Sequence, residues 1–271
     1  MRPQSLMLTF LGDYLYRQGR CVYSGTAIAV LGRLGVSEHA TRSTLGRMVN
    51  RGLLYRVRRG RRMYFGLTPR TVAILRDGHV RIWRTGAVNE DWDGTWTLLG
   101  FSLPEAWQRQ RHDLRSQLAW AGFGPLQGGL WIAPGRVDVS AIVAELGLAT
   151  RVRVFRAHAD ELTDVAQLVH DAYDLDRLAQ RYREFADRWS DPPYRADPLA
   201  AHLAIVTEWL RIIRLDPRLP VRHLPADWPA IPAQKTFQHL EAELATPAAA
   251  AVAPIFESVP EETAPAADSG G

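Results

Sequence analysis

Residues 24–67 run SGTAIAVLGRLGVSEHATRSTLGRMVNRGLLYRVRRGRRMYFGL, and the reading of this stretch decides the fold. Ala27, Ile28, Leu31 and Leu34 recur at helical spacing behind Ser24, whose hydroxyl suits a helix cap, and Gly35 supplies a position tolerant of φ > 0 to end that helix. Ser37 offers a second cap, and the spacing predicts another helix from Glu38 to Asn50. Leu45, Met48 and Val49 form its inward stripe, while His39, Arg42, Ser43, Gly46, Arg47 and Asn50 fall together on the opposite side. Two runs, Leu54 to Arg58 and Arg61 to Leu67, mix β-branched and aromatic residues with arginines around Arg59-Gly60, so they read as a hairpin. Helix, glycine turn, capped helix and basic hairpin follow in the order of a winged helix-turn-helix.

That order has a chemical consequence. A helix about 10 Å wide fits the major groove, where Arg and Asn side chains match donor and acceptor pairs on base edges. A rigid arginine-tipped hairpin beside it reaches backbone phosphates or the minor groove. The expected DNA-contacting set is Ser37, His39, Arg42, Ser43, Arg47 and Asn50 on the helix, with Arg58, Arg59, Arg61 and Arg62 on the hairpin. Any three-helix domain with a hairpin buries similar stripes, and an Arg-rich turn is usually a solvated surface. The order of the parts is what favours DNA.

Charge supports the same end of the chain. The 271 residues carry a net +4, but residues 1–86 hold 16 arginines against three acids, Asp13, Glu38 and Asp77. That surplus of 13 leaves 17 bases against 26 acids in the remainder, a deficit of 9. One end suits a polyanion and the rest does not. Cys21 is the only cysteine, which excludes an internal disulfide and a multi-cysteine metal site and suits a reducing compartment. No apolar run approaches the roughly 18 residues of a membrane span. Met1 to Gln4 leads straight into an amphipathic segment without a secretory pattern, so a cytoplasmic protein with no membrane partner is expected.

Outward from the central stretch, Ser5 to Arg17 places Met7, Phe10, Leu11, Tyr14 and Leu15 on one side of a first helix, completing a DNA-binding domain over 1–86. Thr68 and Pro69 open a helix from Thr71 to about Asp77, and Gly86, Asn89, Asp91, Asp93 and Gly94 make 84–94 a linker. A strand at Thr95–Leu103, a helix at Glu105–Ala121 stopped by Gly122, strands at Phe123–Leu126 and Gly129–Ala133, a helix at Ser140–Leu146 and a strand at Arg151–Arg156 follow. This β-α-β-β-α-β order over 92–158 is that of a ferredoxin-like sandwich, whose exposed edge strand suggests dimerisation. Helices at Glu161–Tyr173, Leu175–Trp189, Leu199–Leu215 and Ala233–Ala245, with a proline-punctuated crossing at 216–232, make a helical domain over 160–245. Residues 246–271, rich in Ala, Pro and Glu without a basic residue, are expected to be a disordered tail. The fold class is therefore α+β.

Catalytic patterns are weak. Gly122-Phe123-Gly124-Pro125-Leu126-Gln127-Gly128 resembles a dinucleotide loop, but its third glycine falls one place late and Pro125 removes an N–H. There is no Walker loop, no nucleophile elbow around Ser102, and no histidine pair at zinc-binding spacing on a helix. His158 with Asp160 and His170 with Asp171 read as surface or capping pairs, as do Asp171, Asp174 and Asp176 at a helix junction. A metal-dependent nuclease on the middle domain would need a carboxylate ending its first strand, and Gly100-Phe101-Ser102-Leu103-Pro104 supplies none before Glu105. No catalytic residue, metal or cofactor is expected. A nuclease and an architectural DNA binder without effector stay as alternatives.

Three features then coincide: the basic winged helix, the run Trp96-Thr97-Leu98-Leu99-Gly100-Phe101-Ser102-Leu103-Pro104-Glu105, and Asp216-Pro217-Arg218-Leu219-Pro220 followed by Leu224-Pro225 and Trp228-Pro229. In this order, over about Ser5 to Ala245, they resemble the PaaX family of bacterial transcriptional regulators, repressors of phenylacetate and related aromatic catabolism. The resemblance implies a central domain similar to the CRISPR-associated Cas2 fold and a helical carboxyl-terminal domain. It also implies a homodimer, a double-stranded DNA operator, and release by an aryl-acyl-CoA such as phenylacetyl-CoA. For such an effector the late helices offer aromatic faces at Tyr173, Tyr182, Phe185 and Trp209, with Arg183, Arg211 and Arg214 to meet phosphates. The plainer reading of each is helix packing with snorkelled arginines.

Overall fold

Proline in the first turn starts α1 (Pro3–Tyr14), which buries Leu6, Met7, Phe10 and Leu11. The chain then extends through β1 (Arg20–Tyr23), a strand too short for alternation to reveal, with Cys21 and Val22 buried. β1 runs directly into α2 (Ser24–Gly32). Extended Tyr23 therefore occupies the cap position without a side-chain cap bond, and Ser24, expected as the cap, is the helix's first residue. Gly35, at φ 76°, makes the turn. Ser37 caps α3 (Glu38–Asn50), its Oγ accepting from Ala40 N at 3.2 Å. Thr41, Thr44, Leu45 and Met48 are the buried stripe of α3.

The hairpin strands β2 (Leu54–Arg59) and β3 (Arg62–Leu67) pair from Leu54↔Leu67 to Arg59↔Arg62. Gly60, at φ 57°, and Arg61 form the two-residue turn, where a first position with φ > 0 matches the strand twist. Thr68 caps α4 (Pro69–Val80), which continues past the expected Asp77 into a π turn at Arg81–Thr85.

Residues 84–94 are not the free linker the glycines suggested. Ala87 is buried and its N–H donates to Gln234 Oε1 at 2.7 Å, and Asn89 Nδ2 donates to Arg218 O at 2.9 Å. Beyond them come β4 (Trp96–Phe101), α5 (Gln108–Trp120), β5 (Gly124–Pro125), β6 (Leu130–Pro134), α6 (Ser140–Glu145) and β7 (Val152–Ala157). The strand order is β5-β6-β4-β7, antiparallel throughout. One face of this sheet buries Leu99, Trp131 and Val152 with Leu114 and Leu118 of α5. The other buries Trp96 and Ile132 with Val169 and Ala172 of α7 (Val165–Ala172) and Leu219.

The later helices are α8 (Leu175–Ser190), α9 (Pro198–Ile213) and α10 (Ala230–Val252). The computed structural model describes residues 1–194 and 196–261, which divide into two compact units. The first holds Met1–Arg84, Arg188–Leu210 and the described residues from Thr236; the second holds Thr85–Asp187 and Arg211–Lys235. The helices of residues 160–245, expected as one domain, contribute to both units.

The expected tail is also corrected. α10 continues through Pro247 to Val252 because the run Ala248–Ala251 has the strongest intrinsic helix preference and Ala248 and Val252 are buried. A 3-10 turn at Ala253–Ile255 leads into β8 (Ser258–Pro260), which pairs with β1 through Arg20↔Pro260, Cys21↔Val259 and Val22↔Ser258. The first unit's sheet therefore has the order β2-β3-β1-β8. Residues 262–271, the rest of that expected tail, lie outside the described residues. Among the described residues no helix is long and apolar enough to cross a membrane.

Candidate nucleic-acid interface

The buried stripe of α3 leaves its other side open, and His39, Arg42, Arg47 and Asn50 are exposed there, with Ser43 half-buried. Arg42 is held along its own helix by Glu38, with Nη2–Oε1 at 2.7 Å, and both side chains are 60% exposed. Arg47 Nη1 donates to Ser43 Oγ at 2.5 Å and Nη2 to Thr44 Oγ1 at 2.9 Å. Such surface bonds are weak and exchange readily for base or phosphate acceptors. Ser37, exposed and serving as the cap, sits at the amino end of the helix, where free N–H groups favour an anion.

On the hairpin, Arg58, Arg59, Arg61 and Arg62 are all exposed, and Arg58 Nε donates across the turn to Gly60 O at 3.2 Å. Arg62 is the one whose situation sequence reasoning missed, since its Nη1 meets Glu257 Oε1 at 2.6 Å. Arg56 was missed altogether. It is exposed on β2, and its Nη2 lies 3.9 Å from where a Cβ at Gly46 would stand, so it borders the outward side of α3. The outward phase of the strand and the side-chain-free Gly46 were the available signal.

This surface is backed by a tightly tied interior. Thr207 of α9 donates to Thr9 of α1 at 2.7 Å, and Trp209 stacks on Phe237 of α10 with centroids 4.9 Å apart. His202 joins α9 to α1 and α10, with Nδ1 3.6 Å from Asp13 Oδ2 and Nε2 3.3 Å from Glu241 Oε1. Burial, and then the Glu241 charge, push the Asp13 carboxyl up to about 7, while burial pulls the His202 imidazole down.

The effector candidates do not assemble as expected. Tyr182 is fully buried, with its hydroxyl bonded to Asp216. Trp209 is buried in the first unit, and Phe185 is also fully buried, so these three aromatic side chains pack in the interior. Arg183 and Arg211 are exposed and Arg214 is half-buried. Tyr173 borders a cleft of about 360 Å³ in the second unit, lined also by Trp120, Arg177, Arg181, Leu215 and Pro217. Tyr173 is fixed as a wall by donating to Ile132 O at 2.7 Å and Gly122 O at 3.1 Å. Trp120 is 63% exposed and lies off the apolar stripe of α5, a signal the sequence did carry. Among the described residues no group of three or more His, Cys, Asp or Glu is placed to hold a metal ion.

Comparison with known proteins agrees with this arrangement. Three family models match consecutive segments: "PaaX-like protein" over residues 2–71, "PaaX protein central Cas2-like domain" over 89–169 and "PaaX-like protein C-terminal domain" over 173–254. The central sheet described above is therefore a Cas2-like domain. "Transcriptional repressor PaaX" of Escherichia coli (strain K12) is 31% identical over 240 residues, spanning 83% of this chain and 74% of that protein. A solved structure, an uncharacterized protein from Mycobacterium tuberculosis, superimposes with a TM-score of 0.63 at 23% identity, covering 92% of this chain and 98% of that one, and so shares the fold. With its basic helix and hairpin, its Cas2-like sheet and its late helices each matched in order, the chain belongs to the PaaX family.

Proposed function

We propose that this chain is a DNA-binding transcriptional repressor that reads its operator through a winged helix-turn-helix. α3 is the reading helix and the β2–β3 hairpin the wing. The observation that carries the reading is the open side of α3, where Arg42, Arg47 and Asn50 stand exposed beside Arg56 with a buried stripe behind them. Those side chains have the donors that base edges and phosphates accept. Gel-shift titrations of Arg42→Ala, Arg47→Ala, Arg59→Ala and Arg61→Ala at two salt concentrations test it. The helix variants are expected to lose operator affinity, and the wing variants to weaken binding to every sequence and flatten its salt dependence. Unchanged affinity in all four refutes the assignment.

The repressor reading extends to an effector, an aryl-acyl-CoA of the phenylacetyl-CoA type, and to a phenylacetate-type operon. The Trp120–Tyr173 cleft supports a site for it: two aromatic faces stand beside Arg177 and Arg181, one helical turn apart on α8. Its volume of about 360 Å³ lies in the range of small-molecule pockets and suits the aryl end with part of its carrier. An effector that binds better to the form with misplaced reading helices lowers operator affinity by its differential affinity for the two forms. Melting curves with a panel of acyl-CoA esters test this. A rise in melting temperature that disappears in Trp120→Ala is expected, whereas no shift with any ester would indicate a DNA binder without effector. The homodimer reading is supported by the open edge of the Cas2-like sheet, where β7 leaves Val154 and Phe155 exposed. Sedimentation of Phe155→Glu against the parent chain tests it.

A further inference from the structure

A carboxylate stands inside the cationic hairpin. Glu257 comes from the far end of the chain, just ahead of β8, and its Oε1 accepts hydrogen bonds from Arg62 Nη1 at 2.6 Å and from the Tyr64 hydroxyl. These two donors hold the Glu257 carboxyl below the usual range, so it is an anion at neutral pH. Its backbone is anchored independently. Tyr23 N donates to Glu257 O at 2.9 Å, Glu257 N donates to Thr26 Oγ1 at 3.0 Å, and Thr26 Oγ1 donates to Ile255 O at 2.9 Å.

The segment that follows is clasped as well. Arg20 Nε donates to Ser258 Oγ at 2.7 Å and its Nη2 to Ser258 O at 3.0 Å, and Tyr55 Oη donates to Glu261 Oε1 at 2.5 Å. Arg62 meanwhile lies over the Tyr23 ring, 5.2 Å from its centroid. The anion is therefore presented by a fixed strand to a cation on the hairpin, while both partners keep open sides, at 57% and 38% exposure.

A guanidinium offers a carboxylate and a phosphate the same pair of donors. An exposed pair contributes only a factor of about two to five to an equilibrium, so it exchanges. A DNA phosphate has the further advantage of the counterions it releases. We propose that Glu257 is a built-in competitor for DNA at the wing: it occupies Arg62 in the free protein, a DNA phosphate displaces it, and the carboxyl-terminal strand thereby limits the grip of the wing on any duplex. The inference rests on the reading of the hairpin as a DNA contact. Because phosphate carries no sequence information, the competition trims general attraction and leaves base reading by α3 untouched.

Fluorescence anisotropy of the full chain with a fluorescein-labelled duplex of arbitrary sequence, over a series of NaCl concentrations, tests it. Glu257→Gln keeps the side-chain shape and an acceptor for Tyr64 while removing the charge. It is expected to raise affinity at low salt about threefold, a gain that shrinks as salt screens the Arg62–Glu257 pair of the free parent. In an Arg62→Gln background the same change is expected to shift affinity by less than about 1.5-fold, since the competition acts through Arg62. An equal gain in both backgrounds would make Glu257 a general field charge and overturn the inference, as would an unchanged or weaker Glu257→Gln that melts like the parent. A parent chain that binds while Glu257→Gln matches it overturns this inference alone; absence of binding by the parent overturns the DNA-binding reading with it.

Discussion

Two amphipathic helices, α3 and α8, carry arginines opposite an inward stripe, and they differ in what that stripe is made of. In α3 the stripe is small and plain, Thr41, Thr44, Leu45 and Met48, and what the helix offers outward is Arg42, Arg47 and Asn50. In α8 the stripe is aromatic, Tyr182, Phe185 and Trp189, and all three are buried. Large rings at helical spacing are first of all core, because each removes a large apolar area from water. The open chemistry of α8 lies instead on Arg177 and Arg181, which border the cleft. In both helices the proposed site is on the side that does not pack.

The strongest test of that contrast is to cut into each side in turn. Phe185→Ala empties a fully buried site and is expected to cost about 3–5 kcal/mol of stability, read as a large drop in melting temperature. A mild effect would mean that the α8 aromatics are open to ligand after all. Arg42→Ala or Arg47→Ala is expected to do the reverse, leaving stability within about 0.5 kcal/mol while costing about 1–3 kcal/mol of operator binding in titrations.

The helices behind α3 give a test with a defined sign. The Asp13 carboxyl titrates at about 7 in the folded chain, above its unfolded value of about 3.9. The native state therefore binds this proton more tightly, and the contribution of Asp13 to stability falls as pH rises from about 4 to 7 and then stays low. Asp13→Asn is expected to be more stable than the parent at pH 8 and indistinguishable from it at pH 4, measured by urea unfolding. His202 works in the opposite direction. Its imidazole is pulled down by burial, so its share of stability is lost as pH falls below about 6.5. The smallest expected effect is at the wing, where Arg61→Ala should flatten the log–log salt slope of DNA binding by about 0.9 without altering sequence preference.

Much of the first unit was legible because its signals are local. The Ser37 cap, the Gly35 turn, the stripe of α3 and the Arg59-Gly60 turn each lie within a few residues of what they determine. The β-α-β-β-α-β order was legible for the same reason. What escaped depends on distant partners. β1 is four residues long, and β8 exists because β1 offers it an edge; neither has a pattern of its own. The Ala-Pro composition of 246–261 suggested disorder, but burial of Ala248 and Val252 and the Thr26, Arg20 and Tyr55 contacts outweigh it. The cleft escaped because it joins the end of α5 to the start of α8, segments about fifty residues apart whose meeting no periodicity announces.

On the proposed reading, the cationic face of α3 and its hairpin grips a DNA duplex. The direct measurement is the affinity of the intact chain for duplex DNA across a salt series, alongside a variant with Arg42 and Arg47 both changed to Glu. Binding at low ionic strength is expected to weaken steeply as salt rises, and to be nearly lost in the variant while the melting temperature holds. A parent chain with no measurable attraction for duplex DNA at low salt, or a variant that binds as well as the parent, would contradict it.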